Sequence, residues 1–223
     1  MENLLLDRYQ RLQVEIQLAC QRAQRNAKDI DLLLASKYAT AEQMNTLIAS
    51  GITLIGENRL QDAQKKFPSL LPVRKHFIGH LQLNKVKKTV QMFEMIESLD
   101  SLELATAIHK EAEKLGKKMP VLIQVNAGQE DQKFGLRPSE VLPFFEKLLA
   151  HRYLSIEGLM AVLPYFEDAE KSRPYFRTMR TLFDFCRKKY KRIATLSMGM
   201  SHDFTVAIEE GATEIRVGSY FFE

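Results

Sequence analysis

Three features of this chain could do chemistry together. Lys37 closes the apolar run of DLLLASKYAT at residues 31–40. Arg216 stands inside EIRVG, residues 214–218, between Ile215 and Val217. A glycine-centred turn, SMGMSHD at 197–203, offers backbone N–H groups and hydroxyls. An amine attacks carbonyl carbon once it sheds its proton, and partial desolvation eases that loss. A guanidinium is a permanent cation and needs an acceptor wherever it is buried. Strand alternation puts Ile215 and Val217 on the face opposite Arg216. Gly199 lets backbone approach an anion, and Ser201 is placed to cap a helix starting near His202. Asp203 must then point away from any phosphate bound there. Each feature also has a plain reading: a solvated lysine, an Arg216 paired with Glu214 or Glu57 or simply exposed, and an ordinary strand–turn–helix.

The elements that must position these residues alternate. Short apolar runs at 32–36, 53–56, 76–79, 94–98, 121–126, 156–161, 194–198 and 214–218 read as strands. Helical patterns lie between them, near 41–50, 59–66, 81–91, 101–117, 138–150, 168–190 and 202–210, with a further one at 5–27. Pro143 predicts a kink in 138–150. Strand–helix alternation implies parallel pairing with right-handed crossovers. Eight such units in 223 residues fit a compact α/β chain, one (β/α)8 barrel domain over 1–223. Only SYFFE follows the last strand, so no eighth crossover helix is expected, and the N-terminal helix is free to fill that gap beside the first strand. An open doubly wound sheet competes, but no GxGxxG follows the first strand.

In a barrel the chemistry belongs at the C-terminal strand ends, and phosphate sites favour the loops after strands seven and eight. Those ends read Ser36-Lys37, Gly56-Glu57-Asn58, Gly79-His80, Ser197 to Ser201 and Gly218-Ser219. Closure brings the first strand beside the eighth, so Lys37, Arg216 and the turn share one rim. A strand-end amine, an arginine and an anion cradle together suggest pyridoxal 5'-phosphate: Lys37 forms the Schiff base, Arg216 meets the pyridine nitrogen and the two loops hold the phosphate.

The blocks LLLASKYAT, IGENRLQDA, HFIGHLQLNKVK, QVNAGQEDQKFGL, IEGLM and LSMGMSHDFTVAIEEGATEIRVGS resemble the YggS-type pyridoxal phosphate homeostasis proteins, from residue 30 onward. The resemblance implies a barrel similar to the N-terminal domain of alanine racemase, with Lys37 as the imine lysine. It implies cofactor contacts from Asn58 and Ser201, from Arg216, Gly218 and Ser219, and from His80 close to the ring; Gly199 and Met200, in the turn itself, are counted with them as cofactor-binding. Departures are Lys75 where the family often has tryptophan, QLNK in place of QSNK or QTNK, and FFE in place of IFG at the C-terminus. None touches the proposed imine or phosphate positions.

The function the resemblance implies is handling of the cofactor: binding it, buffering it and passing it to apo-enzymes that use it, as a monomer or weak homodimer, with no turnover. A slow amino-acid racemase or lyase with Lys37 as base is the alternative. A third class is binding of anionic partners through residues 171–192, where nine basic residues face one aspartate. A solvated helix face is the plain reading of that segment, and net charge of +4 does not by itself imply nucleic acid. No run spans a bilayer and the N-terminus lacks a signal-peptide pattern, so a cytoplasmic protein with reduced Cys20 and Cys186 is expected. His76, His109 and His151 lack metal-ligand spacing and read as structural. Met198 and Met200 read as packing, and Lys133 as a solvated lysine or a mobile gate.

Overall fold

The structure, a computed structural model, describes residues 2–130 and 132–222. Its eight strands are β1 (Asp31–Ala35), β2 (Leu54–Glu57), β3 (Arg74–Phe77), β4 (Met95–Leu99), β5 (Met119–Val125), β6 (Leu154–Ala161), β7 (Thr195–Met200) and β8 (Glu214–Val217). They form one closed parallel barrel in sequence order, shut by β1 against β8 with Leu33 opposite Arg216 and Leu34 opposite Val217. The helices are α1 (Glu2–Arg22), α2 (Ala41–Ala49), α3 (Leu60–Lys66), α4 (Val86–Met92), α5 (Leu102–Lys114), α6 (Val141–Leu148), α7 (Arg173–Lys189), α8 (Phe204–Glu209) and α9 (Ser219–Phe222). A parallel sheet is covered on its outer face, so its strands turn one set of apolar residues to the helices. Leu34, Ile55, Ile123, Leu159, Ile215 and Val217 belong to that outer core. The alternate positions look inward. There, a small apolar group of Met95, Leu122 and Met160 shares the barrel interior with buried His76, Glu97, Ser197, Glu214 and Arg216.

All eight expected strands are present, most of them offset by one or two residues. Three of the long helical segments begin as 3-10 turns, at Leu83–Lys85, Pro138–Glu140 and Ala169–Ser172. Pro143 does not kink α6: it is the third residue of that helix, where an N–H has no intrahelical partner to lose. The tail after β8 does form a helix, the single turn α9. Helix α1 packs on α2, α8 and α9, and two bonds strap it to the last turn: Arg8 donates to the Phe221 carbonyl at 2.6 Å and the Tyr220 hydroxyl to Glu15 at 2.6 Å. Cys20 and Cys186 are separate buried thiols. Among the described residues no helix is long and apolar enough to cross a membrane.

Gly199 is the tightest point of the β7–α8 turn. Its φ is +91°, and a Cβ there would lie 2.5 Å from the Ala207 Cβ and 3.1 Å from the Phe204 Cα. Gly199→Ala is therefore expected to cost about 3 kcal/mol in urea unfolding, from backbone strain and overpacking together. A loss below about 1 kcal/mol would mean that α8 shifts aside freely.

Candidate functional site

The rim begins at the end of β1. Lys37 is the middle residue of a 3-10 turn, Ser36–Tyr38, and is exposed, with its Nζ 4.8 Å from the centre of the Tyr38 ring. The backbone beneath it is pinned by Glu57, a fully buried carboxylate at the end of β2. Glu57 Oε2 lies 2.7 Å from the Ser36 hydroxyl and 3.3 Å from Lys66 Nζ, which also donates to the Ser36 carbonyl at 2.7 Å. The other oxygen accepts the N–H groups of Asn58 and Arg59 at 2.8 and 3.2 Å. One carboxylate thus fixes the residues carrying both Lys37 and Asn58. Glu57 is on the outer face of the barrel, so its partner is Lys66 and not Arg216. The Asn58 backbone also abuts Gly79, where a Cβ would come within 2.2 Å of the Asn58 carbonyl oxygen. Asn58 Oδ1 is buried and has no hydrogen-bond partner among the described residues.

Across the β1–β8 seam stand the two loops of the expected cradle. Gly218 lies against Ala35, since a Cβ on Gly218 would meet the Ala35 Cβ at 3.1 Å. Lys37 is two residues further along the same edge. Ser201 does not cap α8. Its hydroxyl accepts from the N–H of Gly218 at 3.1 Å and of Tyr220 at 3.3 Å, so it serves the first turn of α9 and couples the two loops. The turn at α8 is held by Asp203, whose Oδ1 accepts the Met200 N–H at 2.7 Å and whose Oδ2 takes the Ser172 hydroxyl at 3.2 Å. Its charge is thereby turned away from the Gly218–Tyr220 amides. Ser219 opens α9. Met198 is buried as expected, whereas the Met200 side chain is at the surface and packs no core. Ser201→Ala removes the acceptor of two amides. Hydrogen exchange at Gly218 and Tyr220 should quicken by about tenfold, the equivalent of roughly one hydrogen bond. Unchanged protection would show that those amides have other partners.

Arg216 is 5% exposed and points into the barrel. It pairs with neither Glu214 nor Glu57. One terminal nitrogen donates to the Ser197 hydroxyl at 2.6 Å and the other to the Ala161 carbonyl at 2.7 Å. Ser197 donates in turn to Glu97 Oε2 at 2.7 Å, and Glu97 Oε1 faces His76 Nδ1 at 2.8 Å. Glu214 Oε2 is 3.6 Å from the same imidazole nitrogen. Burial pushes the Glu97 carboxyl up, with the Arg216 charge pulling it back. Glu214 is driven well above the carboxylate range by burial and then by the charge of Glu97. Burial lowers His76 below the ordinary imidazole value although Glu214 opposes it. Arg216 is conspicuous in the sequence, but this network is not, because its members are scattered over β3, β4, β7 and β8.

His80 is exposed and stacks on Phe134 at 3.6 Å between ring centres, joining the β3 end to the 127–137 loop. With Asn58 and Phe77 it lines a small cavity of about 140 Å³. Lys133 donates to the Leu163 carbonyl at 3.0 Å and pairs with Glu130 at 2.7 Å. His109 and His151 meet edge-on at 5.5 Å in a structural cluster. On α7, Arg173 bonds Glu170, Glu209 and Glu210, Arg177 bonds Glu210, Arg180 bonds Asp184 and Lys189 bonds Glu146, so much of the basic face is already neutralised. Lys118, Arg152, Lys191 and Arg192 line a groove of about 810 Å³ by the N-terminal ends of β5 and β6, the end of the barrel remote from Lys37.

Residues 20–223 match the family described as alanine racemase, N-terminal domain. A protein of Aquifex aeolicus named pyridoxal phosphate homeostasis protein is 43% identical over 219 residues, covering 97% of this chain and 96% of its own. The chain belongs to the pyridoxal phosphate homeostasis family. A relative of the same name from Pasteurella multocida is 33% identical over 95% of this chain and 93% of its own. The solved structure of PipY from Synechococcus elongatus with PLP bound is 31% identical and superposes with a TM-score of 0.80, over 94% of this chain and 100% of that one. An alanine racemase of Clostridium difficile, 16% identical with a TM-score of 0.73 over 95% of this chain and 54% of its own, shares the fold. Within the homeostasis family, then, the barrel is that of the racemase domain.

Proposed function

We propose that this chain holds pyridoxal 5'-phosphate at the Lys37–Arg216 rim and serves intracellular vitamin B6 homeostasis by buffering the cofactor and handing it to apo-enzymes. What supports the reading is the pairing of β1, which runs into Lys37, with β8, which carries Arg216 and runs into the Gly218–Tyr220 turn held by Ser201. The residues fit the group: Asn58 carries a buried amide oxygen with no partner among the described residues, and the Ser201 hydroxyl gathers two amides at the proposed phosphate end. PipY, a relative at 31% identity, has been solved with PLP bound.

Bound pyridoxal phosphate supplies an aldehyde that captures amines, and a ring that can withdraw electrons. Lys37 provides the amine. Arg216 orients the ring by donating to its nitrogen, and as a permanent cation it gives up no proton there. A ring nitrogen held in that way withdraws electrons weakly, which suits a carrier better than a catalyst. Gly199, Met200, Ser201, Gly218 and Ser219 take the phosphate, while Asn58 and His80 border the ring. The two buried free thiols agree with a cytoplasmic setting.

Borohydride reduction of the cofactor-loaded protein, followed by peptide mass mapping, tests this. A pyridoxyl group on the peptide containing Lys37 is the expected result, and an adduct found only on other lysines removes the site. Reactivation of a cofactor-free transaminase by the loaded protein is expected alongside. Amino-acid turnover that depends on Lys37 would move the reading to a racemase or lyase.

A further inference from the structure

The barrel interior below Arg216 holds three ionisable side chains for which cofactor contact has no use. His76 on β3, Glu97 on β4 and Glu214 on β8 are each 5% exposed or less. One donor atom from each lies within 4.8 Å of the others. The set has the look of a metal site, but Arg216, one hydroxyl away through Ser197, disfavours a second cation there. A proton meets the same need at lower cost. Two buried carboxylates at this separation cannot both be charged against a single guanidinium.

The contacts say which of the two is ionised. Glu97 accepts the Ser197 hydroxyl at one oxygen, the direction fixed because that hydroxyl itself accepts from Arg216, and its other oxygen lies against His76 Nδ1. It is coupled through Ser197 to the guanidinium. Glu214 has one oxygen, Oε1, that is buried with no hydrogen-bond partner among the described residues, which suits a protonated acid far better than a carboxylate. Other charged groups around the cluster stand toward the His76 end: Arg74, Glu94 and Asp31 act on His76 from the N-terminal ends of β3, β4 and β1.

We infer that Glu97 is the buried counterion and positioning residue of Arg216, acting through the Ser197 hydroxyl, and that Glu214 carries the one proton that leaves Glu97 charged. The chain Glu97–Ser197–Arg216 fixes the guanidinium that would donate to the pyridine nitrogen, so this inference rests on the proposed cofactor site. It makes Glu97 and Ser197 determinants of how firmly the cofactor is held, though neither need touch it.

Infrared difference spectra of the cofactor-free protein at neutral pH test the charge assignment without any ligand. Glu214→Gln should remove the carbonyl stretch of a protonated acid, and Glu97→Gln should remove a carboxylate band. The reverse pattern, or no protonated acid in the wild type, overturns the inference. Absorbance titration with pyridoxal 5'-phosphate tests the positioning. Glu97→Gln and Ser197→Ala should each weaken retention about tenfold and shift the absorbance maximum of the bound cofactor, whereas Glu214→Gln, neutral like the acid it replaces, should stay within about threefold. Ser197→Ala removes a single hydroxyl and carries this arm if Glu97→Gln does not fold. Affinity and absorbance unchanged in Ser197→Ala would sink the relay. Failure of the wild type to bind the cofactor would count against the rim reading and, with it, the positioning role, while the infrared result would still decide the charges.

Discussion

Lys37→Ala protein, loaded with pyridoxal 5'-phosphate and reduced with borohydride, should carry no pyridoxyl group, and its cofactor should wash out during gel filtration. Lys37 is exposed, with its Nζ 4.8 Å from the centre of the Tyr38 ring. Trimming it leaves no buried group unsatisfied, so unfolding free energy should move by less than about 0.5 kcal/mol. Retention should nonetheless fall on the order of a hundredfold, about 3 kcal/mol, because a covalent hold is replaced by phosphate and ring contacts alone. The combination of unchanged stability and lost retention separates a binding role from a structural one. Stoichiometric adduct formation in Lys37→Ala would end the assignment, since another amine would then be the true site.

Arg216→Met is expected to damage the protein even in the absence of cofactor. The side chain is buried, bonds to Ser197 and Ala161, and balances the charge of Glu97. Removing it strands a carboxylate inside the barrel, which costs about 3–5 kcal/mol when one member of a buried pair is lost. Adding Glu97→Gln to Arg216→Met should recover at least about 1 kcal/mol, a coupling that distant, independent sites do not show. Urea unfolding of the two single variants and the double variant measures this directly. Strict additivity would mean that Glu97 and Arg216 do not sense each other.

The strands were readable because each is a short apolar run ended by glycine or a polar pair, and such runs between amphipathic stretches point to a parallel barrel. The β3 boundary shifted furthest, to Arg74–Phe77 from the expected 76–79, since the polar Arg74 and Lys75 hide a strand whose backbone pairs with β2. Arg216 was conspicuous because it interrupts an apolar strand. Its supporting network was not, because Glu97 in EMIES and His76 in RKHF resemble ordinary strand-end charges until closure turns them toward a common axis. Glu57 could be seen at a strand end, but its work depends on Ser36 and Lys66 meeting it from two other elements. In sequence Ser201 stands nearest to α8. In space it serves a different one, and Asp203, which looked like an obstacle to phosphate, proved to be the residue that shapes the turn.

The seam between β1 and β8 also bears on how the protein comes into being. The first stave of the barrel leaves the ribosome early and must wait for the last before Lys37 has its neighbours. Long-range pairing of this kind is slow to form and leaves edges bare in the meantime. With the proposed site lying across that seam, capture of the cofactor would have to wait until the final strand has been made.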